Sequence, residues 1–421
     1  MSDSSRVGTL IATARKLRRR GLRDAARRVV NRWYRQLDVA SLEFPLLPGD
    51  VADSSRVTSP TAGAPPESGR PVRIGWICTP PSAGSGGHTT LFRMVAELER
   101  QGHECVLFLY DRHGGDVEQH ARVIREHWPK LRARIMDAAD GIYGVDACVA
   151  SGWPTAHVLA LRTAGTPIRR LYFIQDYEPY FYAKGALAAF AEDSYRLGFR
   201  SIALGYMVDE LLRTEIGIEP DVVEFATDTE VYSLDNTGER NGVVFYEKPG
   251  NDRRGYSLAR LALEEFHRRQ PDQQIHLYGD TGNAWPIPVV RHGRLSPAEL
   301  NRLYNRTIAG LGLSFTNVSL VPDEMLAAGN IPIVNELASA RINLPHPDVV
   351  WAPATPGGIA DAIERTVLAP DIPGRAAHAA SLVRPGWDGT VQEVAAIILD
   401  EVYGGGSDGD AEVGMTAKRA G

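Results

Sequence analysis

Between residues 73 and 352, short apolar runs alternate with longer amphipathic stretches, and the series occurs twice. An apolar run followed by a helix-length stretch returns to its sheet as a parallel neighbour. A chain of this pattern therefore folds into parallel sheets with helices on both faces. The first series predicts strands at 73–78, 105–110, 147–150, 170–175, 201–204 and 222–225. A helix at 89–101 carries Leu91, Met94, Val95 and Leu98 on one face. The second series predicts strands at 243–246, 274–277, 309–314, 331–334 and 349–352, with helices at 258–270 and 296–305. Two doubly wound halves in series make two Rossmann-like domains, 71–232 and 233–384. Residues 385–403 read as a C-terminal helix and 404–421 as a frayed tail.

The 421 residues are 43% hydrophobic and 23% charged, enough for two domains of ordinary size. A net charge of −6 argues against general nucleic-acid binding. Cys78, Cys105 and Cys148 are odd in number and lie in apolar runs, so they read as reduced core residues. No run is long enough to span a bilayer, and no signal-peptide pattern opens the chain, so the cytoplasm is the expected compartment. Residues 1–37 are different. Eleven Arg and Lys side chains face two acids, Asp3 and Asp24, and apolar residues recur at helical spacing up to Trp33 and Leu37. This reads as a basic amphipathic helix that docks residues 6–37 on an anionic membrane surface, the inner face of the cytoplasmic membrane, or else packs on protein. Residues 38–70 are rich in Pro, Ser, Gly and Ala and read as a flexible linker.

The chemistry-bearing segments follow predicted strands. Gly84 to His88 lie between the first strand and its helix, where glycines let the backbone approach a ligand. Gly86 and Gly87 are the candidates for this close approach, and His88 is either a ligand contact or structural. The spacing is not that of a dinucleotide fingerprint. Lys248, Arg253 and Arg254 lie in a turn after the first strand of the second half, where cations suit a diphosphate. Asp176, Glu178 and Tyr180 follow one strand and Trp153 another. Aromatics and acids at strand ends can grip a sugar, while a strand-end turn or core packing accounts for them as well. Tyr278-Gly279-Asp280 could line a base pocket. Glu324 sits at a predicted helix start, with Gly329 ending the helix and Ile331 to Val334 forming the next strand. There the helix dipole is expected to keep the acid ionised for a ribose diol.

The run from Ser314 to Val334 resembles the nucleotide-sugar motif of retaining glycosyltransferases of family 4, which have the GT-B fold. That motif has two glutamates eight positions apart, then a small-residue helix, Gly and a Pro-containing strand. Glu324, Gly329 and Pro332 match, and Thr316 stands where the first glutamate belongs. The segments around Trp153, Asp176 and Ser314, in order over residues 72–400, are similar to the WsaF-like rhamnosyltransferases. The resemblance implies a GT-B chain with an interdomain cleft, its C-terminal helix crossing back onto the first domain. It implies transfer of L-rhamnose from dTDP-L-rhamnose to a cell-surface polysaccharide or lipid-linked glycan, with neither cofactor nor metal. Asp176, His88 and Thr316 would then stand at the reacting sugar. Gly86, Gly87, Lys248, Arg253, Arg254, Gly279 and Glu324 would hold the donor, and Trp153, Glu178 and Tyr180 the sugar or acceptor. The alternatives are a transferase of a UDP- or GDP-sugar, a nucleotide-sugar epimerase, and a non-catalytic nucleotide-sugar-binding protein.

Overall fold

The computed structural model describes residues 44–57, 65–67, 70–280, 284–318, 320–384 and 386–404. The predicted helix of residues 1–37 and the tail from 405 lie outside the described residues. The chain divides into two compact units, residues 1–51 and 52–421. In the first unit, the described residues contain one 3-10 turn, Pro48–Asp50. The second unit carries both sheets.

The first sheet has seven parallel strands: β1 (Arg73–Cys78), β2 (Glu104–Leu109), β3 (Arg134–Asp137), β4 (Ala147–Ala150), β5 (Arg169–Ile174), β6 (Arg200–Leu204) and β7 (Asp221–Val223). Their order is β3-β2-β1-β4-β5-β6-β7. The second has β8 (Val243–Glu247), β9 (Ile275–Gly279), β10 (Val290–Arg291), β11 (Ala309–Leu311), β12 (Ile331–Asn335) and β13 (Val350–Ala352), in the order β10-β9-β8-β11-β12-β13. All pairs are parallel, with β1 Ile74 opposite β4 Ala147 and β8 Val243 opposite β11 Ala309. The central strands are buried along their whole length because helices cover both faces.

The helices that shape the site are α1 (Gly86–Arg100), α2 (Val117–His127), α3 (Trp153–Arg162), α4 (Ala186–Ser194), α5 (Tyr206–Leu211), α6 (Tyr256–Arg269), α7 (Pro297–Arg306), α8 (Val321–Ala327), α9 (Ala338–Asn343), α10 (Pro356–Val367), α11 (Ile372–Ser381) and α12 (Asp388–Tyr403). Helix α12 lays Val391, Val394, Ile398 and Val402 into the core of the first domain, beside Trp76 of β1 and Phe173 of β5. Each such side chain contributes roughly 1.5–3 kcal/mol relative to exposure, which ties the C-terminal helix to the first sheet.

Three expectations change. Helix α1 starts at Gly86 rather than at residue 89, so Gly86 and Gly87 form its first turn. Strands β3 and β10 were not expected: the first is only partly buried and the second has two residues. Part of the predicted linker is packed: Ala52 is buried and the Ser54 hydroxyl donates to Asp193 at 2.6 Å.

Strand order reverses between β1 and β4 and again between β8 and β11. Ligands of open parallel sheets bind in the crevice outside the carboxyl ends at such reversals. Into these crevices fall the start of α1, the turn before α3, the 248–255 turn and the 314–317 loop.

Candidate functional site

The second domain supplies the cations. Lys248 follows β8 with its side chain exposed and, among the described residues, in no ion pair. A 3-10 turn, Asp252–Arg254, then sets two arginines side by side before α6. Arg254 donates from Nη1 to the Ser314 hydroxyl at 2.9 Å and to the Asn317 carbonyl at 3.4 Å. Both acceptors are neutral, and among the described residues no carboxylate lies within ion-pair distance. Burial, followed by repulsion from Arg253, pulls its pKa down to about 10. Arg253 donates to Asp176 Oδ2 at 3.2 Å and lies 4.2 Å over the ring of Phe181.

The 314–317 loop is held from β12 and crosses to the first domain. Asn335 accepts from the Ser314 amide and donates to its carbonyl, both at 2.8 Å. Thr316 is fully buried, and its hydroxyl donates to Asp176 Oδ2 at 2.9 Å. The Asn317 amide donates to Asp176 Oδ1 at 2.9 Å, and its side chain donates to the Gln175 carbonyl at 2.9 Å. Asp176 is 9% exposed; burial raises its pKa, while the Asn317 amide, Arg254, Arg253 and Thr316 oppose the rise. So Asp176 and Thr316, expected at the reacting sugar, do meet. They meet each other, and every hydrogen bond given to this carboxylate comes from the second domain. The Thr316 side chain thus meets a carboxylate from the opposite domain.

His88 stands apart from that pair. Its Nδ1 pairs with the Ser85 hydroxyl at 2.7 Å and its Nε2 with the Thr79 carbonyl at 2.9 Å. A carbonyl can only accept, so Nε2 carries the proton and Nδ1 accepts from Ser85. Burial lowers the pKa and favours this neutral form. The imidazole fastens the loop after β1 to the first turn of α1. Gln175 adds a bond from its amide to the Gly87 carbonyl at 3.1 Å. The N–H groups of that turn open the first-domain crevice.

Trp153 and Glu178 serve the first domain's interior instead of presenting themselves to a sugar. Trp153 is 1% exposed, and its indole donates to the Tyr182 hydroxyl at 3.0 Å. Glu178 accepts from the Trp153 backbone N–H at the start of α3, and burial pushes its carboxyl up to about 8. Tyr180 is 43% exposed and packs edge-on against Tyr177.

Glu324 lies in the first turns of α8. That helix sits close on β11 because the strand is glycine there. A Cβ at Gly310 would meet Met325 at 2.6 Å, and one at Gly312 would meet Pro322 at 2.9 Å. The helix dipole does not decide the charge of Glu324. Burial, Asp323 and Asp228 push its carboxyl up to about 7, against Arg93 and a hydrogen bond from Tyr232. Arg93 of α1 pairs with Asp228 at 2.8 Å. Asp323 is also raised to about 7 by burial. Gly279, expected at the donor, has φ +111°, and a Cβ there would lie 2.6 Å from both the Glu247 carbonyl and the Tyr246 ring. Its place is fixed by that close approach beneath the stacked rings of Tyr246 and Tyr278, 5.1 Å apart. Among the described residues, no group of three or more His, Cys, Asp and Glu is placed to hold a metal ion. Nor is any described helix long and apolar enough to cross a membrane.

Sequence reasoning passed over Asn317, Asn335, Phe181 and Arg93. A polar residue ending a buried strand, as in Ile-Pro-Ile-Val-Asn, was the available signal for Asn335. Nothing local marks Arg93, which is one charge on an ordinary amphipathic helix.

Residues 241–364 match the family model described as WsaF, C-terminal domain. The O-antigen biosynthesis protein RfbC of Myxococcus xanthus is 29% identical over 375 residues, covering 83% of this chain and 29% of that protein. The chain thus spans under a third of that relative's length. Among solved structures, the sucrose-phosphate synthase of Thermosynechococcus elongatus superposes with a TM-score of 0.59 at 15% identity, covering 78% of this chain and 98% of that one. HepE from Anabaena, solved with UDP and glucose, superposes with a TM-score of 0.57 at 13% identity, covering 79% and 100%. Two Rossmann-like domains, each doubly wound and parallel, with carboxyl edges meeting across a cleft, give this chain the GT-B fold.

Proposed function

We propose that the chain is a glycosyltransferase of cell-surface polysaccharide assembly, taking L-rhamnose from dTDP-L-rhamnose to a glycan or lipid-linked glycan. One observation carries the reading. Arg254 is a half-buried guanidinium without a carboxylate partner among the described residues, beside Arg253 and Lys248 at a sheet's reversal point. Cations grouped in this way suit an anion, and a nucleotide sugar brings a diphosphate. The match to the WsaF C-terminal domain over 241–364 and the likeness to an O-antigen biosynthesis protein support this substrate class. The sugar rests on the resemblance to the WsaF-like rhamnosyltransferases.

Glu324 takes the ribose diol, which needs its ionised form. Arg254, Arg253 and Lys248 take the diphosphate, and the first turn of α1 approaches it from the opposite domain. As the glycosidic bond to the donor breaks, negative charge grows on the leaving diphosphate, and these cations stabilise it more than they do the intact donor. The sugar carbon becomes oxocarbenium-like, and closure of the cleft keeps water from it. Residues 6–37, outside the described residues, dock the enzyme on the anionic membrane that carries a lipid-linked acceptor.

Thermal unfolding with dTDP, UDP and GDP and their sugars, followed by dTDP release from dTDP-L-rhamnose with acceptor, tests the reading. A melting temperature raised most by the dTDP compounds, with acceptor-dependent release, is the expected result. No shift with any nucleotide overturns the reading, and a shift with UDP or GDP alone replaces the donor.

A further inference from the structure

We infer that the Asp176 carboxylate is a built-in stand-in for the donor's phosphate: it fills the anion cradle of the second domain when the site is empty and yields it to the donor. This rests on the diphosphate reading above. Three donors converge on the carboxylate, namely the Thr316 hydroxyl at 2.9 Å, the Asn317 backbone N–H at 2.9 Å and the Arg253 guanidinium at 3.2 Å. A hydroxyl, a backbone N–H and an arginine are a set that suits phosphate oxygens equally well. All three come from loops at the β8/β11 reversal, while the carboxylate comes from the first domain, at the end of β5. It is an anion delivered from across the cleft into the crevice where such folds take their ligands.

Charge supports exchange rather than co-occupancy. Arg253 is the one ion-pair partner of Asp176 among the described residues. Arg254, next to it, is not paired and is drawn to Asp176 only at longer range. A phosphate on Arg253 would put like charges against each other, so phosphate and carboxylate compete for the same donors. A nucleoside-diphosphate sugar brings a dianionic diphosphate to the donors that Asp176 already occupies. The free nucleoside diphosphate bears one negative charge more, so Asp176 also works against retention of the product.

The test compares the full-length protein with Asp176→Asn, which keeps the shape and the acceptor for Asn317 N–H, and with Asp176→Glu, which keeps the charge. Affinities for dTDP, UDP, GDP and thymidine are measured by calorimetry, and the unliganded shape by small-angle scattering. Asp176→Asn should bind its preferred nucleoside diphosphate about ten-fold tighter, the factor one partly screened unit charge supplies at this range. Thymidine affinity should not change. The radius of gyration without ligand should increase, because Arg253 and Thr316 lose their partner across the cleft. Asp176→Glu should stay near wild type. In an Arg253→Ala background, the gain from Asp176→Asn should shrink, since the two act through one contact. Equal or weaker diphosphate binding by Asp176→Asn overturns the inference and leaves the nucleotide site standing. Nucleoside diphosphates that bind neither protein overturn the nucleotide reading, and this inference with it.

Discussion

Replacing Arg254 separates a binding cation from a structural one. Among the described residues its guanidinium hydrogen-bonds only to the Ser314 hydroxyl and the Asn317 carbonyl, at 2.9 and 3.4 Å, and burial with Arg253 beside it pulls its pKa down to about 10. A charge so placed works against the folded state, since its dehydration is not offset by an ion pair. Arg254→Met should therefore leave the melting temperature of the empty protein unchanged or raise it slightly. Its effect on ligand should be large. Losing an arginine from a desolvated charged pair costs about 2–5 kcal/mol, roughly thirty-fold to several-thousand-fold in affinity. That loss belongs to the phosphates, so dTDP should suffer it and thymidine should change by less than about three-fold. Arg254→Lys should recover only part, because an ammonium lacks the planar fork. Calorimetry with both ligands, alongside thermal unfolding without ligand, gives the needed numbers. Equal losses for dTDP and thymidine would refute the clamp. A melting temperature several degrees lower in the empty variant would show that Arg254 is structural.

Glu324→Gln should keep the fold and weaken donor binding ten-fold or more, at about 1.5–3 kcal/mol for each hydrogen bond to a charged group. Since the wild-type carboxyl lies at about 7 when empty, donor affinity should fall as pH drops below that value, by up to about ten-fold per unit, and the Gln variant should lack this dependence. A parallel pH profile in the two proteins would remove Glu324 from the ribose. Gly279→Ala should destabilise by about 2–4 kcal/mol, from a φ of +111° and a Cβ 2.6 Å from the Glu247 carbonyl. A lower denaturant midpoint with unchanged slope is the expected readout, and an unchanged midpoint counts against the close approach. Deleting residues 1–40 should release the protein from anionic vesicles and spare turnover of a soluble acceptor. Cations there are worth about 1 kcal/mol each near the surface, and vesicle sedimentation indifferent to the deletion or to lipid charge argues for packing on protein instead.

The two sheets were legible because their central strands are buried on both faces and written as unbroken apolar runs, as in Arg73–Cys78 and Ile331–Asn335. The helix that carries Glu324 and the strand after it were legible because that helix, Gly329 and Pro332 are neighbours in sequence. Strand β3 was not, since Arg134–Asp137 is short and only partly buried. The start of α1 was missed because Gly86 and Gly87 are poor helix formers, yet a first turn asks little of propensity when the rest of the helix packs. Trp153 and Glu178 show a deeper limit. Placement at a strand's carboxyl end does not say whether a side chain turns toward the cleft or back under its own helix. The joining of Asp176 to Thr316 spans 140 residues, and no local pattern encodes it.

The displaced pKa values of this region share one physical source. Arg254 is pulled down to about 10, while Asp323 and Glu324 are pushed up to about 7, with burial the first cause in each case. The loops around these groups are fastened from elsewhere in the fold, as Asn335 holds Ser314 and His88 holds the turn before α1. On the proposed reading, the phosphates of a dianionic donor would meet the Arg254 guanidinium, and its ribose hydroxyls would meet the carboxyl of Glu324 and favour its ionised form. Binding should therefore release a proton from Glu324 near neutral pH. On the same reading, the cations of the second domain would favour the charge that develops when the sugar–phosphate bond breaks.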